Sequence, residues 1–389
     1  MGQRAFCTCI PLDQQRGKSH PVPWIYLSTS KLHRNRANLV QTLHTVQALV
    51  RTGCNVLLLI PPVRRGVNVS ERLKEMGIDR QLQIKPTSLL HSRWKPVGFL
   101  PLCLAMRRRL LTAERVMVRS HYISKALLRH GIPHWFEVHD VEQLRREGYL
   151  NKLVAGCKKG IVTRLLPISM AAGEALEQAG APARRIMVVP CGVEYQRFSS
   201  IKAPDIRAMK SPKIMYIGRI SMDRGLEIFI HLARQRAGDI YLIGEIENGE
   251  ELLRREQGIR YISSQPHKYV PSWYEKCDIV LLPYQPILST STWFSPLKLF
   301  EAMAAGRPIV ASDLKPIREV LTHGRTGLLV RPDDPEEWLK AVNTLKNHPE
   351  MAVALGKRAR EVARSYSWDA RAMKLLDPVC RTGFQPVTS

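Results

Sequence analysis

"KIMYIGRISMDRGLEIFIHLARQRAGDIYLIGEI", residues 213–246, decides the fold. Two short apolar runs end in glycine, at Gly218 and Gly244, and an amphipathic stretch from Leu226 lies between them. Continuous apolar runs suit strands covered on both faces, so the segment reads as strand, helix and parallel strand. Arg219 and Arg224 bracket the loop after the first strand. That is the carboxyl end of a strand, where open α/β sheets take ligands. Two guanidiniums there form a fork for a diphosphate, or they are ordinary solvated loop charges.

The alternation continues outward. On the carboxyl side follow "IRYISS" from Ile259, "DIVLLPY" from Asp278, "RPIVAS" from Arg307 and "GLLVRP" from Gly327. On the amino side stand "WIYLST" from Trp24, a helical stretch ending at Gly53, and "NVLLLIPP" from Asn55. "RVMVRSH", "WFEVHD", "RLLPIS" and "RIMVVPCG" complete that half, the last over 185–192. The fold class is therefore α/β, with two Rossmann-like doubly wound parallel-sheet domains facing a cleft. The expected divisions are a flexible leader at 1–22, a first domain at 23–195, a linker at 196–212 and a second domain at 213–365. A helix at 366–380 is expected to pack back on the first domain, ahead of a flexible tail at 381–389.

The 389 residues are 44% hydrophobic and 24% charged, which describes a globular chain too long for one ordinary core. Of the formal net charge of +25, the first 200 residues carry +19. Such a surface attracts nucleic acid, anionic lipid or acidic substrates. Eight cysteines are scattered, and only Cys7 and Cys9 are close; they complete no zinc quartet, so reduced thiols and no metal are expected. No run approaches the roughly 18 apolar residues of a membrane span. A cytoplasmic protein is expected.

"FSPLKLFEAMAAGRPIVASD", residues 294–313, contains the one carboxylate out of character, Glu301 at the edge of an apolar helical arc. Ser295 is expected to cap a helix that begins at Pro296. The helix start and Lys298 in its first turn suit a phosphate. A carboxylate one turn further in can accept from two vicinal hydroxyls, as on a ribose. The competing reading is a Lys298–Glu301 surface pair worth a few tenths of a kcal/mol.

These stretches, with "LLPISMAAGEAL" and "IMVVPCGVEYQRF", resemble the glycosyltransferase family 4 enzymes, the glycosyl transferases group 1, over nearly all of residues 24–375. The resemblance implies the GT-B fold, a nucleotide-sugar donor (UDP- or GDP-linked) on the second domain, no cofactor or metal, and transfer with retention of configuration. By resemblance, Glu301 matches the second glutamate of the E-x7-E motif, which holds the ribose. Gly218 and Arg219 match the strand glycine and the basic residue after it. Arg224 stands where the family has Lys, and Ser295 and Lys298 join the donor site. The backbone near Ser263 to Gln265 would face the base. His139 in "WFEVHD" corresponds to the active-site histidine, against the alternative of a strand-end histidine bonded to Asp140.

The chain departs from the pattern at Trp293, which replaces the first motif glutamate, at Cys191 and at Glu245. The first strand–helix loop, "STSKLHRNRANL", also lacks the usual glycines. These departures leave a non-catalytic or donor-binding relative as one alternative, and a nucleotide-sugar epimerase as another. The acceptor is expected to be a hydroxyl of a lipid-linked or polysaccharide precursor. Residues 80–130 mix Trp94, Phe99, Leu100 and Leu102 with Arg107, Arg108 and Arg109. They read either as an anionic-membrane surface, with a peripheral location on the inner face, or as a core helix with a solvated basic side. No nucleic-acid module is recognisable, and that partner is not expected.

Overall fold

A computed structural model describes residues 23–377. The expected leader and tail lie outside the described residues, as do Cys7, Cys9 and Cys380.

Two six-stranded sheets form, every neighbouring pair parallel. The first uses β1 (Trp24–Leu27), β2 (Val56–Ile60), β3 (Gln83–Pro86), β4 (Arg115–Val118), β5 (His134–Val138) and β6 (Val162–Pro167), in the order 3-2-1-4-5-6. The second uses β7 (Lys213–Ile217), β8 (Asp239–Ile243), β9 (Ile259–Ile262), β10 (Ile279–Leu282), β11 (Ile309–Ser312) and β12 (Leu328–Val330), in the order 12-11-10-7-8-9. Read from its other edge, the second sheet repeats the first. Each sheet reverses direction beside its first strand, so β1/β4 and β7/β10 are the switch points where ligands are expected. The central strands are buried throughout, because helices cover both faces.

Two elements differ from expectation. Residues 186–192 do not form a strand. Met187 and Val189 donate to Leu165 and Pro167 carbonyls at 2.9 and 2.8 Å, but only Ile186 makes a bridge. Pro167 and Pro190 have no N–H, so a regular ladder cannot propagate. β3, short and largely exposed, has too little apolar pattern to be read from sequence.

The helix Trp368–Leu376 crosses back to pack on the helix Ala37–Arg51 of the first sheet. Ser367 caps it by accepting from the Ala370 N–H at 3.0 Å. Its buried Arg371 forms an ion pair with Glu137 on β5, which is also buried. The same guanidinium donates to the Pro190 carbonyl at 2.6 Å and to Thr45 Oγ1 at 3.2 Å. Burial would raise the Glu137 carboxyl, but Arg371, His139 and Tyr26 outweigh it and hold it at about 2. Removing one partner of such a pair strands a buried charge. Arg371→Ala is therefore expected to cost about 3–5 kcal/mol in urea unfolding, and pairing it with Glu137→Gln should recover part of that loss. A single-mutant loss under about 1 kcal/mol would contradict the hub role.

Candidate active site

A cleft of about 620 Å³ opens between the carboxyl ends of the two sheets. Its floor is the paired ends of β7 and β8. A side chain at Gly244 would place Cβ 1.8 Å from the Gly218 carbonyl oxygen, so the backbones meet as only glycine allows. At Gly218 a Cβ would collide with Lys298, whose side chain lies across that glycine. Ser264 and Gln265 form part of the wall.

Glu301 faces this cleft from the helix Leu297–Ala304 and is buried. It does not pair with Lys298 on the surface. His267 Nε2 donates to its Oε1 at 2.9 Å, and the Tyr274 hydroxyl approaches Oε2 at 3.5 Å. Burial opposes the charge, yet His267, Lys298 and His44 prevail, and the carboxyl stays below its ordinary range. An ionised carboxylate thus persists in a poorly solvated wall. His267 was not singled out in the sequence, because nothing near "SSQPHKY" announces a partner 34 residues away. Its ring also meets His44, on the helix Ala37–Arg51 that follows β1, edge-on at 5.5 Å between centroids, so the pair sits where the two halves touch.

Lys298 also lines the cleft. Burial first, then Arg224 and Arg219, push its ammonium down to about 8 against the pull of Glu301. Arg219 reaches the cleft and is held by Glu247 at 2.9 Å. Arg224 does not line it. Its buried guanidinium donates to Ser221, Asp223 and Glu247 at 2.8, 2.9 and 3.0 Å. The expected fork is therefore one cleft arginine and one supporting arginine, meeting on Glu247. Ser295 departs further from expectation. The helix starts at Leu297 with Pro296 at the cap position, and no side chain caps it. The Ser295 hydroxyl instead accepts from the Cys191 N–H at 3.0 Å, across the join between the halves. Trp293 likewise faces the join: its carbonyl accepts from the Ser169 hydroxyl at 2.9 Å, and its ring packs on the first core.

The opposite wall comes from the first sheet. Arg119, just past β4, donates from Nε to Gln41 Oε1 at 3.1 Å and to His139 Nε2 at 3.0 Å. His139 follows β5 and lies 3.6 Å from Glu137. Asp140, its neighbour, instead caps the next helix by accepting from the Gln143 N–H at 2.9 Å. Burial and then Arg119 push the His139 imidazole down to about 4, so the ring is neutral at physiological pH. Arg119 is a wall residue that sequence reading missed; its one signal is a basic residue directly after the apolar run in "RVMVRSH". Among the described residues, no group of three or more His, Cys, Asp or Glu side chains is placed to hold a metal.

Residues 211–348 match the family model for glycosyl transferases group 1. The two-sheet architecture matches solved structures along almost its full length. Anabaena Alr3699/HepE in complex with UDP aligns with a TM-score of 0.67 at 16% identity, covering 91% of this chain and 98% of that one. Sucrose-phosphate synthase from Thermosynechococcus elongatus aligns with a TM-score of 0.70 at 18% identity, covering 91% and 97%. The segment 211–348 is thus similar to the glycosyl transferases group 1. The fold of the chain is GT-B. Among curated relatives, the D-inositol 3-phosphate glycosyltransferase of Paenarthrobacter aurescens (strain TC1) is 28% identical over 257 residues, 61% of this chain and 60% of that protein. That of Corynebacterium glutamicum (strain R) is 34% identical over 125 residues, 32% of this chain and 28% of the relative. The chain thus aligns over at most about three fifths of either relative's length.

Below about pH 8 the Lys298 ammonium is charged, and it loses its proton as pH rises through that value. Binding of a diphosphate against Gly218 is expected to be level near pH 7 and to weaken above 8, by up to about tenfold for each unit by which the anion raises the lysine pKa. Nucleotide titrations from pH 7 to 9.5 check this, and Lys298→Gln should flatten the profile.

Proposed function

We propose that the protein transfers a sugar from a nucleotide-diphosphate sugar to an acceptor hydroxyl, with retention of configuration and without a metal. The segment 213–365 takes the donor and 23–195 the acceptor. The observation that carries this reading is the buried, ionised Glu301, one turn into the helix whose first turn lays Lys298 over the glycine floor. A ribose offers two vicinal hydroxyls to that carboxylate while its diphosphate lies on Lys298 and the helix start. Sugar transfer is supported by the relatives named as glycosyltransferases. UDP as the carrier is supported by the structures of Alr3699/HepE with UDP and UDP-glucose.

As the bond from the anomeric carbon to the diphosphate oxygen breaks, negative charge grows on the leaving group. Lys298, Arg219 and the helix N-terminus meet it with preset positive charge. Arg224 has a positioning role: it retains Glu247 when Arg219 turns to the phosphate. The acceptor oxygen attacks from the face the diphosphate leaves, and its proton passes to the departing phosphate oxygen. His139, neutral and anchored by Arg119, offers a polar contact to the transferred sugar without adding charge.

The chain also works against an anionic membrane surface in this reading, using the helix Leu100–Thr112. Phe99 and Leu102 are core residues and Trp94 is half-buried, so the aromatic part of the expected surface faces inward. Leu104 and Leu111 are 64% and 46% exposed, beside exposed Arg107, Arg108 and Arg109. Among the described residues no helix is long and apolar enough to cross a membrane. Leu104→Glu with Leu111→Glu is expected to abolish sedimentation with phosphatidylglycerol vesicles; unchanged sedimentation would remove the membrane from the account.

Calorimetric titration of UDP, GDP and ADP tests the donor assignment. UDP is expected to bind best, and Glu301→Ala to weaken it by about 10- to 100-fold, the loss of charge-assisted hydrogen bonds worth about 1.5–3 kcal/mol. Equal binding by wild type and mutant would overturn the ribose role.

A further inference from the structure

The connection after β9, residues 263–269, brings Ser264, Gln265 and His267 to the donor cleft. His267 makes one directional bond, from Nε2 to the Glu301 carboxylate. Its Nδ1 is shielded from solvent and has no hydrogen-bond partner among the described residues. A single bond fixes one atom of a ring; packing must fix the rest.

Two of the packing contacts come from outside the second sheet and its helices. One is the edge-on contact with His44, on the helix Ala37–Arg51. The other is Arg197, on the short helix Tyr195–Ser199, which donates to the carbonyl of Lys268, the residue after His267. That guanidinium lies against Gly77 of the first half, where a Cβ would fall 2.2 Å from Arg197 Nη1 and 3.9 Å from His267 Nδ1. Gly77 takes the left-handed turn, at φ +78°, that follows the helix Val69–Glu75, so the chain passes as close as a glycine permits.

Both anchors are held firmly in turn. His44 is fully buried, donates from Nε2 to the Met76 carbonyl at 3.0 Å, and stacks on Trp368 with 14° between the rings. Burial lowers the Arg197 pKa, and Glu194, Glu301 and Asp79 pull it back. Neither His44 nor Arg197 lines the donor cleft. Burial also works against the Glu301 charge, and His267 is the largest of the influences that preserve it.

We propose, on the reading of Glu301 as the ribose carboxylate, that His267 is a positioning residue that couples this carboxylate to the contact between the two halves. His44 and Arg197 fix the ring, and the ring fixes Glu301. Nucleotide affinity therefore depends on first-half residues that never touch the nucleotide. The coupling is reciprocal: nucleotide in the cleft tightens the contact between the halves by the same factor.

Calorimetric titration of UDP into the full chain and a double-mutant cycle tests this. His267→Ala is expected to weaken binding about tenfold, as loss of a charge-assisted bond should. His44→Ala should weaken it about three- to tenfold, and the double variant no further than about twofold beyond His267→Ala, because both act through one ring. His267→Gln, which keeps an N–H for Glu301, should restore most of the affinity. Losses that simply multiply, or a glutamine variant no better than alanine, overturn the proposal. Proton NMR of the imidazoles gives a reading that needs no substitution at His44 to fold stably. Adding UDP should shift the His44 resonance in the wild type and leave it still in His267→Ala. A His44 resonance unmoved in the wild type, with UDP binding still dependent on Glu301, overturns the coupling alone. UDP binding unchanged by Glu301→Ala overturns the ribose reading and the coupling together.

Discussion

One buried guanidinium, Arg371, holds four distant segments together: the helix Trp368–Leu376, the chain at Pro190, the helix after β1, and β5. An ion pair taken out of water is worth little unless its remaining donors and acceptors are also satisfied. Here they are, since Glu137 also accepts from the Tyr26 hydroxyl at 2.8 Å and from Gln41 at 3.4 Å. The consequence reaches the site. Gln41 bonds Arg119 as well, and Glu137 stands 3.6 Å from His139, so the structural pair and the cleft wall share a hydrogen-bonded network. Glu194 plays a similar part, binding Arg51 at 2.6 Å and His44 at 3.3 Å.

The two cleft walls have different electrostatic designs. The second domain keeps a carboxylate charged in a buried wall and sets a lysine near its titration point. The first keeps a histidine neutral and lets cations accumulate without acids. The excess positive charge of the first 200 residues thus has a local expression at the carboxyl edge of its sheet as well as on the exposed basic helix.

The paired Rossmann topology was legible because buried parallel strands leave continuous apolar runs, as in 213–217 and 279–282. Glu301 was legible as a charge in an apolar arc. Ser295 was misread because a hydroxyl before a helix caps it only if nothing else claims the oxygen, and the Cys191 N–H does. Arg224 was placed in the cleft because it brackets the loop after β7 together with Arg219, and its partners Asp223 and Glu247, which draw it away, were not considered. His267, Arg119 and Arg371 were invisible for one shared reason: each acquires its role from a partner 20 or more residues away, and no local pattern encodes that.

The central claim is that the glycine-floored cleft between the sheets, walled by Lys298 and Glu301, holds the nucleotide sugar. Amide hydrogen exchange with and without UDP-glucose tests it most directly. The account predicts slowed exchange at 216–220, 244–247 and 297–301, with little change in the strands of the first sheet. Protection confined to the first domain, or none at saturating ligand, would contradict it.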